Sequence, residues 1–363
     1  MAIQSSIENR AARGSRWARR GRSLAAAAGL CLWLAAPAAV AERRGGDDDG
    51  EGPCSETAEL QARACSHEQR DDYFAARAIC TNGDPAERHA CFREAQAAQR
   101  EGLALCREQL ESREELCDAL GGGRYDPDFA PELFDSDFAN PSNPNPYFPL
   151  GIGNLWEYAG EGETVRREVL DETKLIEGVT CIVVNDRVEV DGLLVEDTDD
   201  WYGLRLDGSV DYCGESVRDF EFTEGDRPFE AELVEIAGSF KAGRDGALAG
   251  TQMPGTPIAG TTHRQEWAPG NAEDAALIRS TSYRFGADAE LDAFVPQALA
   301  ELLCAAGDCV VTDEFSPLEP GAIGRKYYAR GIGFFLEVKP DSGAAVQLVE
   351  CNLDARCAQL PQP

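Results

Sequence analysis

Cysteine is the residue type with the most distinctive chemistry in this chain: there are thirteen, twelve of them beyond residue 41. A thiolate can ligate a metal, attack a substrate or close a disulfide, and spacing helps to decide which. No C-x2-C pair is present, so a zinc site of the kind such pairs build is not expected. An even number of cysteines in an exported chain predicts disulfides. From Cys54 to Cys117 the intervals are alternately eleven and fifteen residues. On a helix these intervals turn through about 1100° and about 1500°, which brings each side chain back to within about 60° of the same face. Cys54, Cys65 and Cys80 therefore share one stripe, and Cys91, Cys106 and Cys117 another. Facing residues of an antiparallel pair have a constant sum of residue numbers, and Cys54 with Cys117, Cys65 with Cys106 and Cys80 with Cys91 each sum to 171. Three nested bridges are predicted. They need Cα atoms within about 7 Å where packed helices usually sit about 8–10 Å apart, and the facing residues are small enough to allow it: Ala58, Ala62, Ala76, Ala95, Ala98 and Gly102, with Tyr73 opposite Ala98.

Four later cysteines read as local clasps, Cys304 with Cys309 around "AAGD" and Cys351 with Cys357 near the end. Cys181 and Cys213 lie in a strand–turn–strand–turn–strand run. Tight Asp-Gly turns place them two strands, about 9–10 Å, apart, beyond disulfide reach unless the middle strand shifts or the sheet closes, so their pairing is left unassigned, with a small buried thiol as the plainer reading.

Other chemistry is sparse. His263 in "THRQEWA" is the only histidine of the second half, and a hydrolase would need a nucleophile and an orienting acid beside it. His67 and His89, on the hairpin, carry no paired motif and read as solvated. The repeat Asp126-Pro-Asp128-Phe and Asp135-Ser-Asp137-Phe offers hard oxygen ligands for calcium, but neither stretch matches a twelve-residue EF-hand loop. The plainer reading is a linker pinned by Phe129, Phe134 and Phe138. No G-x-S-x-G, H-E-x-x-H, P-loop or G-x-G-x-x-G occurs in a suitable context, so no cofactor is expected. A glycosidase-type carboxylate pair is uninformative in so acidic a chain. Trp156, Tyr158, Trp201, Tyr202, Tyr212, Tyr327 and Tyr328, with Phe334 and Phe335, form a core or line an apolar cup for lipid or glycan.

The elements that must position these groups fall in two parts. Residues 54–120 are rich in good helix formers and interrupted once, by "TNGDP", predicting two helices joined by a turn. Gly83 is expected to end the first in a left-handed conformation, with Asp84, Pro85 and Glu87 at N-cap, N1 and N3 of the second. Residues 42–53 read as an acidic flexible linker and 121–146 as a Pro-, Asn- and Asp-rich one. From Tyr147 to Cys357 the pattern alternates. Two Asp-Gly turns, Asp191-Gly192 and Asp207-Gly208, join a three-strand meander. Further strands are expected at 152–159, 164–171, 233–240, 262–268, 276–286, 309–316, 325–338 and 346–351, and a short helix at 291–303. The fold class is α+β: a disulfide-stapled antiparallel α-hairpin followed by an all-β antiparallel barrel, half-barrel or sandwich.

Phe148-Pro149-Leu150, Asn154, Trp156 and Tyr158 make an F-P-L-x3-N-x-W-x-Y opening. With "VTCIVVNDRVEVDGLLVEDTDDWYGLRL" and "RKYYARGIGFFLEV", it resembles a group of secreted bacterial proteins and the β domains of TapB-type surface lipoproteins. The likeness spans about residues 117–350 and implies a β domain without naming a reaction. The hairpin resembles the twin C-x9-C hairpins of mitochondrial import proteins, but its C-x10-C spacing and third bridge read as convergence.

The first 41 residues have the plan of an export signal: six arginines, an apolar run from Leu24 to Leu34, then Ala39-Val40-Ala41 before Glu42, so cleavage is expected after Ala41. Pro37 and the Ala-rich run disfavour a membrane span, and Leu30 before Cys31 makes a poor lipid-attachment site. The paired arginines lack the rest of a twin-arginine signal. Removing this segment takes away six arginines and Glu8, changing the formal net charge from −31 to −36. Such a surface repels phosphate backbones and anionic lipid, which argues against nucleic-acid binding. The expectation is an exported, secreted or periplasmic protein of a bacterial cell envelope, a non-enzymatic binding or structural protein with an unidentified ligand or protein partner. The alternatives are a carrier with a β cup and a carboxylate-dependent hydrolase.

Overall fold

The computed structural model describes residues 52–363; the signal segment and most of the acidic linker lie outside the described residues. Two long helices come first, α1 (Pro53–Asn82) and α2 (Arg88–Leu120). Their seam is bridged at Cys54–Cys117, Cys65–Cys106 and Cys80–Cys91, with Cα separations of 5.7, 5.8 and 5.6 Å. Buried Ala58, Ala76, Ala95 and Gly102 lie along that seam, where larger side chains would hold the helices apart. The turn differs in detail from expectation. Gly83 has φ −77° and ends α1 in extended backbone, so the left-handed stop is at Gly121 alone, φ 83°. The Asp84 carboxylate accepts from the Ala86 N–H, but regular helix starts only at Arg88.

Residues 121–146 are not a bare linker. Phe129 and Phe134 meet edge to face at 5.1 Å, and β1 (Phe134–Asp135) adds to the sheet. The sheet proper runs β2 (Leu155–Gly160), β3 (Glu163–Ile176), β4 (Val179–Val190), β5 (Leu193–Arg205), β6 (Val210–Ser216), β7 (Asp219–Glu221), β8 (Glu232–Glu235), β9 (Leu248–Met253), β10 (Thr262–Arg264), β11 (Glu266–Trp267) and β12 (Ala275–Tyr283). After α3 (Gln297–Leu303) come β13 (Cys309–Phe315), β14 (Gly324–Ala329), β15 (Gly333–Val338) and β16 (Ala345–Cys351). The expected strand at 325–338 is two strands, turned between them at Gly331, φ 78°, and entering β15 at Gly333, φ 85°. The helix expected from 291 begins only after Pro296.

All neighbours are antiparallel, in the order β10-β12-β13-β14-β15-β16-β2-β3-β4-β5-β6-β9-β11. The two ends of that path are consecutive in sequence. His263 pairs with Ala276 of β12 on one side, and Glu266 pairs with Ala249 of β9 on the other, so the segment 262–267 nearly closes the sheet into a barrel. Gly250 permits this closure: a Cβ there would lie 2.1 Å from the Gln265 carbonyl oxygen.

Cys181 and Cys213, whose pairing the sequence leaves open, are bridged, with Cα atoms 6.7 Å apart. Tight Asp-Gly turns alone would set Cys181 opposite Tyr202. A bulge between Val188 and Glu189 shifts the register so that Ile182, not Cys181, faces Tyr202. A second bulge leaves Cys213 as the extra residue between Tyr212 and Gly214. Bulges twist and draw in the bulged strand, and the bridge then crosses β5 beside Gly203, where a Cβ would come 3.4 Å from the Cys213 sulfur. The remaining bridges are Cys304–Cys309 and Cys351–Cys357.

Candidate functional site

The aromatic residues singled out above build core rather than a cup. Trp156, Tyr158, Trp201, Tyr202, Tyr212, Tyr327 and Tyr328 are all buried. Inside the barrel, Tyr202 and Tyr212 stack at 4.8 Å and Phe148 meets Tyr202 edge-on at 4.9 Å. Trp201 faces the opposite side, where it packs in a second layer with Phe134, Cys181 and Val183. The Trp156 indole N–H donates to the Ile332 carbonyl at 2.8 Å, and the Tyr158 hydroxyl to that of Phe334 at 3.2 Å. The motif that carries the lipoprotein resemblance is thus explained by packing. The cavity against Trp156 and Tyr158 measures about 20 Å³, room for one water at most.

The acidic repeat is likewise spent on local structure. The Asp135 carboxylate accepts from the Ser142 N–H and hydroxyl and from the Asp137 N–H, bonds that hold it below the ordinary carboxylate range. Asp137 accepts from the Ala139 and Asn140 N–H groups, Asp126 pairs with Arg124, and Asp128 gives only its carbonyl, to Arg205. Among the described residues no group of three or more His, Cys, Asp or Glu is arranged to hold a metal ion. His67 and His89 are exposed, His89 against Arg93.

Sequence reasoning missed the polar interior of the barrel. Arg167 lies 3.6 Å from Asp186, donates to the Tyr202 hydroxyl at 3.2 Å, and stacks 5.0 Å from the Phe148 ring centre. The Tyr212 hydroxyl sits between Asp200 and Glu215, 3.0 Å from the latter. One hydroxyl carries one proton, so both contacts require a proton on one of the acids. Burial, first of all, raises the carboxyls of Asp186, Asp200, Glu215 and Glu266 above their ordinary values, and Asp186 and Asp200 are 0% exposed. Across the barrel, burial alone would raise Glu314. The Lys326 ammonium at 2.7 Å and the Tyr328 hydroxyl at 2.7 Å more than offset it and hold the carboxyl at about 2. Burial pushes His263 down to about 4, against the opposing pull of the Glu314 charge and of the Gln252 backbone.

A larger space lies where the hairpin meets the barrel. It is a cleft of about 470 Å³ walled by the first turns of α1, the end of α2, residues 123–126, residues 246–248 and the stretch from Arg264 to Glu273. Arg113 of α2 reaches across to Glu273 as a buried bidentate pair at 2.7 and 2.9 Å, and the Gln109 amide donates to the Leu318 carbonyl at 2.9 Å. These contacts dock the hairpin and fix one side of the cleft. Opposite, Tyr125 and Trp267 place their rings 6.0 Å apart, and the Tyr125 hydroxyl donates to the Ala249 carbonyl at 2.8 Å. The Arg264 guanidinium lies 5.7 Å from the Tyr125 ring centre, and its Nη2 approaches Cys54 Sγ at 3.7 Å. Burial lowers the Arg264 pKa from its ordinary value. None of these residues carries a motif. A usable signal existed for Arg113, which lies seven residues after Cys106 and four before Cys117, a charged residue on the face that the cysteines turn inward.

Compared with known proteins, the chain matches no protein-family model, no curated protein and no solved structure.

Proposed function

We propose that this is an exported, non-enzymatic binding protein in which a disulfide-stapled hairpin and a β barrel hold a small molecule in the cleft between them. The observation that carries the reading is the cleft itself. Its volume of about 470 Å³ lies within the range of about 300–1,000 Å³ usual for small-molecule sites, which favour the seams between structural units. Its walls are rigid: the Cys54–Cys117 bridge and the Arg113–Glu273 pair fix α1, α2 and the barrel relative to one another. Six disulfides among the described residues accord with an oxidising compartment. The export signal read at residues 1–41 and the surface-lipoprotein resemblance support a bacterial cell envelope.

Native mass spectrometry of protein purified from its own host tests this reading. The expected result is a retained small molecule that Gly123→Phe displaces. Gly123 lines the cleft, and a Cβ there meets nothing within 4 Å, so the larger side chain fills space without straining the backbone. A retained molecule unaffected by this substitution would contradict the assignment.

A second reading, a carboxylate-dependent hydrolase, draws support from Asp200 and Glu215 converging on the Tyr212 hydroxyl with raised pKa values. It predicts a hydrolytic activity that Asp200→Asn abolishes while the disulfides and fold persist. Hydrolysis of a glycan or ester panel at equal rates by wild type and variant would refute it.

A further inference from the structure

We infer that the cleft between hairpin and barrel takes a small monoanion, a carboxylate on a flat apolar body; this inference rests on the reading of the cleft as a binding site. Arg264 is only 8% exposed, lines the cleft, and makes no ion pair among the described residues. Its Nε has no hydrogen-bond partner, and its Nη2 reaches only a disulfide sulfur, a weak acceptor. A guanidinium taken out of water loses hydration, and among the described residues Arg264 has in return the Tyr125 ring, the Cys54 sulfur and the more distant charge of Glu273, with no directly paired carboxylate. Arg113, 6% exposed, lines the same cleft; Glu273 occupies its Nε and Nη2, while Nη1 has no hydrogen-bond partner among the described residues.

The local charges select the valence of the ligand. The cleft is lined by three guanidinium groups, Arg113, Arg124 and Arg264, and two carboxylates, Asp126 and Glu273, which leaves one positive charge over that one carboxylate neutralises and a dianion would overshoot beside Glu273. A carboxylate also has two oxygens in the spacing that guanidinium N–H groups recognise. A carboxylate alone does not fill about 470 Å³, and the Tyr125 and Trp267 rings favour a flat apolar body for the remainder. The strongly negative surface adds a kinetic signature. It repels an approaching anion at long range, so association accelerates as salt screens the chain.

The test uses the oxidised, exported chain with three probes: benzoate, its neutral isostere benzamide, and inorganic phosphate, read by calorimetry and thermal unfolding. Benzoate is expected to bind saturably and raise the unfolding temperature, with benzamide and phosphate weaker by at least about tenfold. Arg264→Gln should weaken benzoate by about tenfold or more and leave benzamide unchanged, and Arg264→Lys should retain part of the preference. Equal binding of benzamide and benzoate to wild type would overturn the charge inference and leave the cleft as a binding site. Failure of all three probes on wild type would count against both. Undiminished benzoate binding to correctly bridged Arg264→Gln would place the anion elsewhere and overturn the inference. Should that variant fail to form its bridges, the benzoate-to-benzamide ratio in wild type and Arg264→Lys decides.

Discussion

Cys181 and Cys213 are joined across the middle strand β5, with Cα atoms 6.7 Å apart, although they stand on strands that flank it. The bridge passes beside Gly203, where a Cβ would approach the Phe134 ring at 3.0 Å and the Cys213 sulfur at 3.4 Å. Gly203→Val should therefore overpack this layer, at a cost of about 1–3 kcal/mol, and slow formation of the bridge. Free-thiol labelling during oxidative refolding should find Cys181 and Cys213 reduced later than the other ten cysteines of the described chain. Simultaneous closure of all six bridges would show that Gly203 is not the crossing point.

Barrel closure makes a second demand on a glycine. Gly250→Ala would put a methyl group 2.1 Å from the Gln265 carbonyl oxygen, a backbone atom that cannot step aside as a side-chain tip would. The expected loss is at least about 2 kcal/mol in denaturant unfolding. Hydrogen exchange should speed first in β9 and β11, which pair there. A neutral substitution would mean that the sheet is open at this seam.

The hairpin is held to the barrel by the buried Arg113–Glu273 pair, with side chains 7% and 5% exposed. Removing one partner strands the other charge, so Glu273→Gln should cost about 3–5 kcal/mol. Arg113→Met combined with Glu273→Leu should cost much less than the two single changes together. Additive losses in that cycle would show that the pair does not act as a unit.

The barrel interior predicts how stability follows pH. Asp186, Asp200, Glu215 and Glu266 have carboxyls raised by burial, so above about pH 4 the folded chain retains protons that the unfolded chain has released. Their contribution is present at low pH and falls as pH rises from the unfolded values through the raised folded ones. His263 works in the other sense: its folded value of about 4 lies below the ordinary 6.5, so its contribution is lost as pH falls across that interval. Glu314, held at about 2, loses its contribution as pH falls below 4.5. Thermal unfolding should show a stability maximum on the acid side of neutrality and a decline towards alkaline pH that Asp200→Asn reduces. An unchanged alkaline decline in that variant would remove Asp200 from the account.

The hairpin was legible because its information is local: helical periodicity sets the cysteine stripes, and antiparallel pairing sets the common sum of 171. The meander was legible from its Asp-Gly turns, but its register was not. The bulges at Val188/Glu189 and at Tyr212–Gly214 have no turn signature, and each shifts the pairing by one residue. That shift is the difference between an unassigned Cys181 and a bridged one. The interior acids were read as part of a solubilising surface, since composition does not say which face of a strand a carboxylate occupies. The cleft was the least legible feature. Arg113 and Arg264 lie far apart in sequence and meet only when α2 docks on the segment that closes the barrel.

We propose the seam between hairpin and barrel as the binding site. A crystal structure of protein purified from its own host, without exchange into other ligands, tests this most directly. The expected result is density for one small molecule between Arg264, Arg113 and the Trp267 ring, with an acidic group against the two guanidinium groups. Density for a retained molecule inside the barrel, with the cleft holding only water, would contradict it.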